Sequence, residues 1–150
     1  LEINQAGLSW DLMLRKREGF RSAYAGFEVD RVATFDDDDV QRLLADPGIV
    51  RHRRKIEAVI ANARQVRELR ATHGSFAAWL AACHPRPKPA WVKLFRRTFR
   101  FTGPEIVGEF LMSIGYLPGA HRQDCPVYAA VTACDPPWAS APDGIYHAPA

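Results

Sequence analysis

Apolar residues recur at three- and four-residue spacing through most of the chain, with almost no strict alternation, so the pattern predicts helices and almost no strand. Ser9 stands where an N-cap belongs, followed at helical spacing by Trp10, Met13 and Leu14; this helix fades near Gly19 or continues to Tyr24. Asp30 opens a short turn as a cap for Val32 and Ala33. The run Asp36 to Asp39 puts negative charge where a helix N-terminus favours it, with Val40, Leu43 and Leu44 as the buried side and Asp46-Pro47-Gly48 as the stop. Residues 51–72 form the longest periodic segment. Ile56, Val59, Ile60, Ala63, Val66 and Leu69 make one apolar stripe, bordered by Arg53, Arg54, Glu57, Arg64 and Arg67. Gly74 closes it, and Ser75 caps a short helix carrying Phe76, Trp79 and Leu80. The run His84-Pro85-Arg86-Pro87-Lys88-Pro89 is expected to be a loop, because each proline removes a donor and restrains its predecessor. Helices over Trp91–Thr98 and Pro104–Ser113 follow, and the Pro/Ala-rich tail from Asp135 is expected to be loosely ordered. The expected organisation is an all-α domain over 1–134 and a tail over 135–150.

Composition adds bounds. With 150 residues, 47% of them hydrophobic and 25% charged, the chain suits one ordinary domain with its own core. No apolar run approaches the roughly 18 residues that cross a bilayer, and no charged-then-apolar leader points to secretion. Three cysteines, Cys83, Cys125 and Cys134, have no disulfide-framework spacing, which favours a reducing cytoplasm or a metal role. The opening at Leu1 rather than Met reads as mid-sequence, so the chain is expected to be N-terminally truncated.

The net charge of +3 says little, but its distribution says more. Basic residues gather at Arg15-Lys16-Arg17, at Arg51-His52-Arg53-Arg54-Lys55, and at Lys93, Arg96, Arg97 and Arg100. Such clusters suit either solvated helix faces or convergence on a polyanion such as a phosphate backbone. At Phe101-Thr102-Gly103-Pro104-Glu105 the chain can turn tightly and present backbone N–H groups at a helix start, where the helix dipole favours a phosphate. A Gly-Pro turn before a helix is common, and by itself this one is equally a plain connection. His121 and Cys125 form an H-x3-C pair able to supply two of the four ligands of a structural zinc site. Cys83, His84 and Cys134 are possible completions at spacings that match no standard finger, and the alternative is an ordinary histidine and a half-buried cysteine.

Taken in order, the residues resemble a known family. The stretch Leu1-Glu2-Ile3-Asn4-Gln5-Ala6-Gly7-Leu8-Ser9-Trp10 is similar to the active-site segment of the DNA-3-methyladenine glycosylase I family. The resemblance continues through Leu14-Arg15-Lys16-Arg17-Glu18, Gly48-Ile49-Val50-Arg51-His52-Arg53, Lys55-Ile56, Ala61-Asn62-Ala63-Arg64 and Phe99-Arg100-Phe101-Thr102-Gly103, and ends at the His121/Cys125 pair. It spans roughly residues 1 to 128.

This resemblance implies an all-helical fold of the helix-hairpin-helix glycosylase superfamily that removes 3-methyladenine from alkylated double-stranded DNA. It implies that Glu2 is the acidic active-site residue and Trp10 the tryptophan that stacks on the base. It puts the phosphate-binding hairpin at Phe101 to Glu105 and makes His121 and Cys125 two ligands of a structural zinc; Thr102, Gly103 and Glu105 are then the candidate phosphate contacts, with Arg96 and Arg97 of the basic cluster just upstream. The family's other two zinc ligands and further pocket aromatics belong to an N-terminal segment that these 150 residues do not include. The connection from His84 to Trp91 is also shorter and richer in proline than the family's. A cytoplasmic monomer acting in base excision repair is expected. The alternative is a helix-hairpin-helix module that binds DNA without excising bases; a plain helical interaction domain is a third reading, against which the hairpin and the basic clusters argue.

Overall fold

The amphipathic segment after His52 folds as a single helix of 21 residues, and the first half of the chain is assembled on it. The structure is a computed structural model, describing residues 1–147. Among these there are α-helices, short 3-10 turns and no strand, so the molecule is all-α as its periodicity predicts. The chain forms two compact units. One comprises Leu1–Phe76 with Thr98–Phe101, and the other Ala77–Arg97 with the chain from Thr102 onward.

The first unit contains α1 (Glu2–Gln5), α2 (Trp10–Arg15), α3 (Arg17–Ala23), α4 (Val29–Ala33), α5 (Asp37–Ala45) and α6 (Arg53–His73). Ile56, Ile60 and Ala63 of the α6 stripe are buried with Met13, Phe20, Val32, Val40 and Leu43 in one core. Each large apolar side chain withdrawn from water in this way contributes about 1.5–3 kcal/mol. Tyr24 stacks on Phe20 and Phe35, with ring centroids 6.2 and 6.4 Å away. Polar groups close the helix ends. Asp36 accepts from the Asp38 and Asp39 N–H groups at 3.0 and 3.2 Å, and Asp39 accepts in return from the Asp36 N–H at 3.4 Å. This capping box accounts for the aspartate run as a helix start. Arg64 of α6 donates to the carbonyls of Ala33 and Phe35 at 2.9 and 2.7 Å, satisfying groups that the end of α4 leaves open.

Several expectations change here. The helix opened by Ser9 does not run through; it ends at Arg15 and restarts as α3 after Lys16, whose ammonium is drawn to the Pro47 carbonyl at 2.7 Å. Asp30 is not a cap. α4 begins at Val29, and the Asp30 carboxylate pairs with Arg67 and Arg70 of α6 at 3.6 and 3.2 Å. Lys55, assigned from sequence to an exposed basic cluster, is only 5% exposed.

The second unit is built from α7 (Phe76–Cys83), α8 (Lys88–Thr98), α9 (Pro104–Ser113) and α10 (Tyr128–Thr132). Trp91 is fully buried at its centre, edge-on to Phe95 at 6.1 Å and to Tyr116 at 6.0 Å. Phe95 in turn packs against Phe110 of α9 at 5.9 Å. α8 starts at Lys88, three residues earlier than the proline run suggests. Pro89 falls in the first turn, where a helix has no use for its missing N–H, and the Pro87 carbonyl accepts from Ala90 and Trp91. The tail also departs from expectation. Pro136 is buried, the Trp138 N–H donates to the Gly115 carbonyl at 3.1 Å, and the Tyr146 hydroxyl lies 2.9 Å from His84 Nε2. Gly115 has φ +75°, and a Cβ there would press on Pro136 at 3.1 Å, so the glycine at the exit of α9 admits the returning tail. Residues 148–150 of the expected tail lie outside the described residues.

One close approach in the first unit is a direct test of its packing. A Cβ at Gly19 on α3 would collide with the backbone carbonyl of Gly48, with the carbonyl carbon 2.9 Å away. Gly19→Ala gains about 1 kcal/mol of helix propensity, yet overpacking of this kind costs about 1–3 kcal/mol. Urea denaturation should therefore find the variant less stable than wild type. Equal or greater stability would show that α3 and the 46–48 turn separate freely.

Candidate functional site

Glu2 and Trp10 lie at the two ends of one short segment of the first unit. α1 has only four residues, and no side chain caps its N-terminus. Its C-terminal carbonyls are satisfied from elsewhere in the fold. The Lys55 ammonium on α6 donates to the Asn4 carbonyl at 2.9 Å and to the Ala6 carbonyl at 2.6 Å, while the Gln5 carbonyl accepts from the Leu8 N–H at 2.6 Å. Gly7 then turns the chain at φ +77°, and the Ser9 hydroxyl accepts from the Leu12 N–H at 3.3 Å to start α2. The Glu2 carboxylate is about a quarter exposed and lies 3.2 Å from the Leu1 amine. Trp10 is 44% exposed, flanked by the exposed Leu8 and Leu14. An indole left this open on a helix start is not a core residue; its π-face is accessible to a planar partner.

Burial pulls the Lys55 ammonium below the usual lysine pKa, because desolvation disfavours its charge. The same pocket buries Asn4, whose Oδ1 has no hydrogen-bond partner among the described residues. Sequence reasoning did not single out Lys55 as a site residue. The signal was its position: Lys55, Val59 and Asn62 run along one edge of the α6 stripe at helical spacing. Asn62 is the other missed residue. It accepts from the Arg100 N–H at 2.7 Å and donates to the Arg100 carbonyl at 3.0 Å, fixing the backbone just before the Phe101–Glu105 turn. Phe101 itself sits at φ +58°, edge-on to His52 at 6.4 Å, with Lys55 Nζ 6.0 Å from its ring centroid.

Arg96, Arg97, Thr102, Gly103 and Glu105 fall at the junction of α8 and α9. Gly103 is the N-cap of α9 and provides no side chain to cap it, and Pro104 occupies the first turn. A Cβ at Gly103 would meet nothing within 4 Å, so the approach to this helix start is open. Glu105 is exposed in that first turn; only its backbone N–H suits an anion, since its carboxylate would repel one. Arg96 and Arg97 are exposed and line a groove of about 750 Å³ in the second unit with Lys88, Lys93, Pro104 and Tyr146. No acidic residue lines it, and none occurs in the sequence from Leu69 to Pro104. Lys88 lies flat over Gly108, where a Cβ would meet its Cε at 2.8 Å. Lys88 thus joins Lys93, Arg96 and Arg97 of the basic cluster that the sequence singled out.

His121 Nδ1 and Cys125 Sγ stand 3.6 Å apart in a turn rather than on a helix. Zinc bonds of about 2.0–2.1 Å to nitrogen and about 2.3 Å to sulfur put two tetrahedral ligands about 3.6 Å apart, so the pair has the spacing of two corners. It does not make a closed site. Among the described residues no three or more His, Cys, Asp or Glu side chains converge to hold a metal ion. Two of the three suggested completions are engaged otherwise: Cys134 Sγ contacts the Ala130 carbonyl at 3.3 Å, and His84, whose pKa burial lowers, faces Tyr146 and the Tyr116 ring.

A sequence model of the methyladenine glycosylase family matches residues 1–93. The DNA-3-methyladenine glycosylase 1 of Escherichia coli (strain K12) is 34% identical, over 85% of this chain and 78% of its own length. A crystal structure of a 3-methyladenine DNA glycosylase I superposes with TM-score 0.74 at 32% identity, covering 83% of this chain and 79% of that one. A tyrosine-to-phenylalanine variant of such a glycosylase, crystallised in complex with 3-methyladenine, gives TM-score 0.73 at 31% identity over 83% of this chain and 77% of its own.

Proposed function

The chain belongs to the methyladenine glycosylase family, and on that premise we propose that it hydrolyses the N-glycosidic bond of 3-methyladenine in alkylated DNA. It is a DNA repair enzyme, a hydrolase of the base-excision kind. The observation that carries the reading is the exposed Trp10 at one end of a braced segment whose other end carries Glu2. A glycosylase extrudes its target nucleotide and holds the flipped base by stacking and hydrogen bonds. Trp10 supplies the stacking face, worth about 1–3 kcal/mol. Methylation at N3 leaves the adenine cationic and already a good leaving group, so the protein needs recognition and modest electrostatic help more than a strong general acid. The Glu2 carboxylate favours the cationic base and orients a water toward the sugar carbon. The C1′–N9 bond breaks with its electron pair passing to the cationic base, which leaves neutral, and the water oxygen bonds to C1′ as its proton is released to bulk water.

Double-stranded alkylated DNA is the partner this reading requires. The turn at Thr102, Gly103 and Glu105 acts as the helix-hairpin-helix element, its open helix start receiving one phosphate. The groove cations Arg96, Arg97, Lys88 and Lys93 follow the backbone beside it. The same reading has the protein acting as a monomer in the cytoplasm, which suits three cysteines that form no disulfide. It also keeps His121 and Cys125 as two of the four ligands of a structural zinc that binds only when two further ligands are supplied, with no part in the reaction.

Three measurements follow. Glu2→Gln keeps the shape of the side chain and removes its charge; single-turnover release of 3-methyladenine from methylated duplex should fall about 10- to 100-fold while duplex affinity stays unchanged. Wild-type rates in this variant would remove Glu2 from the mechanism, and absence of any base release by the unsubstituted chain would defeat the reading as a whole. Duplex affinity should drop steeply with salt as counterions are released. Replacing Arg96 and Arg97 together should flatten the slope of log K against log salt by about one or two phosphate contacts, and an unaltered slope would exclude them from the interface. Because a structural zinc site closes with four ligands, this chain should purify with well under one zinc per molecule. One tightly held zinc by elemental analysis would show that the pair finds other ligands within the chain.

A further inference from the structure

We propose that Lys55 is a positioning residue for the excision step: by donating to the Asn4 and Ala6 carbonyls, it locks the segment that carries Glu2 and Trp10 into its working shape. The proposal rests on the function assigned above and adds to it a residue outside the base-binding set. Its first support is geometric. Lys55 Nζ lies 2.9 Å from the Asn4 oxygen and 2.6 Å from the Ala6 oxygen, two carbonyls on either side of Gln5 at the end of α1. No other donor reaches those two oxygens among the described hydrogen bonds; the Gln5 carbonyl between them is taken by the Leu8 N–H. A helix this short has no stability of its own in water, since nucleation is unfavourable and only a few turns of propagation offset it. Its C-terminal carbonyls carry partial negative charge, and a cation placed on them stabilises the end of the helix.

The second support is burial. Lysines are almost never fully buried unless paired, yet Lys55 is 5% exposed and no carboxylate is paired with it among the described residues. A solvated lysine elsewhere on α6 would avoid that desolvation, which is large enough to lower the Lys55 pKa. What the position gains is two strong, charge-assisted bonds to backbone 49 and 51 residues away in sequence. The third support is the form of the segment. Between the Lys55 bonds and the Ser9 cap lies only the turn at Gly7, so α6 fixes one side of that turn and α2 the other. Trp10 lacks burial to hold it, and its placement follows from these two anchors.

The test compares this chain with Lys55→Met, which keeps the stem and removes the ammonium. Ile60→Val, a cavity variant in the core of the same helix, serves as the control for lost stability. In Lys55→Met, hydrogen exchange at the Gln5 to Leu8 amides should accelerate at least about 10-fold relative to amides of α4 and the middle of α6. The single-turnover excision rate should fall at least about 10-fold, with duplex affinity within about twofold, since phosphate contacts dominate affinity. Ile60→Val should leave both the local exchange pattern and the excision rate as in wild type. If Lys55→Met does not fold, Lys55→Gln replaces it: its amide has two donors but is one atom shorter, so it should fold and still show the local exchange and the slower excision. Wild-type excision in the folded variant, exchange that rises evenly over the whole first unit, or a loss of excision matched by the core control would each overturn the proposal. If the unsubstituted chain releases no 3-methyladenine, the functional reading fails, and the exchange pattern alone still decides whether Lys55 holds the segment.

Discussion

A helix of four residues cannot hold itself together in water, and the one that carries Glu2 persists because α6 supplies the partner for its end. That constraint explains why α6 is long, continuous and mixed in character. Its apolar stripe sets the core of the first unit through Ile56, Ile60 and Ala63. Polar groups along its length reach out to backbone elsewhere: Lys55 to α1, Asn62 to Arg100, and Arg64 to the end of α4. Each satisfies carbonyl or amide groups that a short helix or a turn leaves open, and each would cost more left unpaired than it contributes when paired. The helix is therefore a core element and a set of brackets at once.

On the proposed reading, the two kinds of chemistry that excision requires fall to differently built parts of the chain. Recognition of a cationic base calls for a carboxylate and an accessible ring, and the candidates, Glu2 and Trp10, sit on the braced segment of the first unit. Holding a polyanion needs positive charge with little competing acid, and the stretch from Leu69 to Pro104 meets that condition by containing no aspartate or glutamate. Lys93, Arg96 and Arg97 stay exposed because Trp91 and Phe95 take another side of α8 into the core, and Lys88 lines the same groove from the first turn, over Gly108.

Much of this was legible in the residues themselves, and the legible parts share a cause. The helix start at the aspartate run, the period of α6, the Gly74 stop and the Pro104 start are local signals, each written within a few positions along the chain. Family resemblance, and no periodicity, is what proposed Glu2 and Trp10 as site residues. Where sequence reasoning failed, the deciding partner was distant. Asp30 reads as a cap until Arg67 and Arg70 are brought to it. Lys55 reads as one more surface cation until the Asn4 and Ala6 carbonyls meet it. The tail reads as loose because Pro and Ala show no period, yet Pro136 finds the space left by Gly115 and Tyr146 finds His84.

The sequence by itself determined the helical class, most helix ends, and the residue types available for base recognition and phosphate binding, because hydrophobic period, capping and net charge act over one or two turns. Only the tertiary structure decided which charge is buried, which tryptophan is left open, and which cations share a groove. Trp10 and Trp91 stand at similar places in amphipathic patterns, yet one is 44% exposed and the other fully buried. A side chain's exposure is settled by what packs over it from remote parts of the chain, and local pattern carries no record of that.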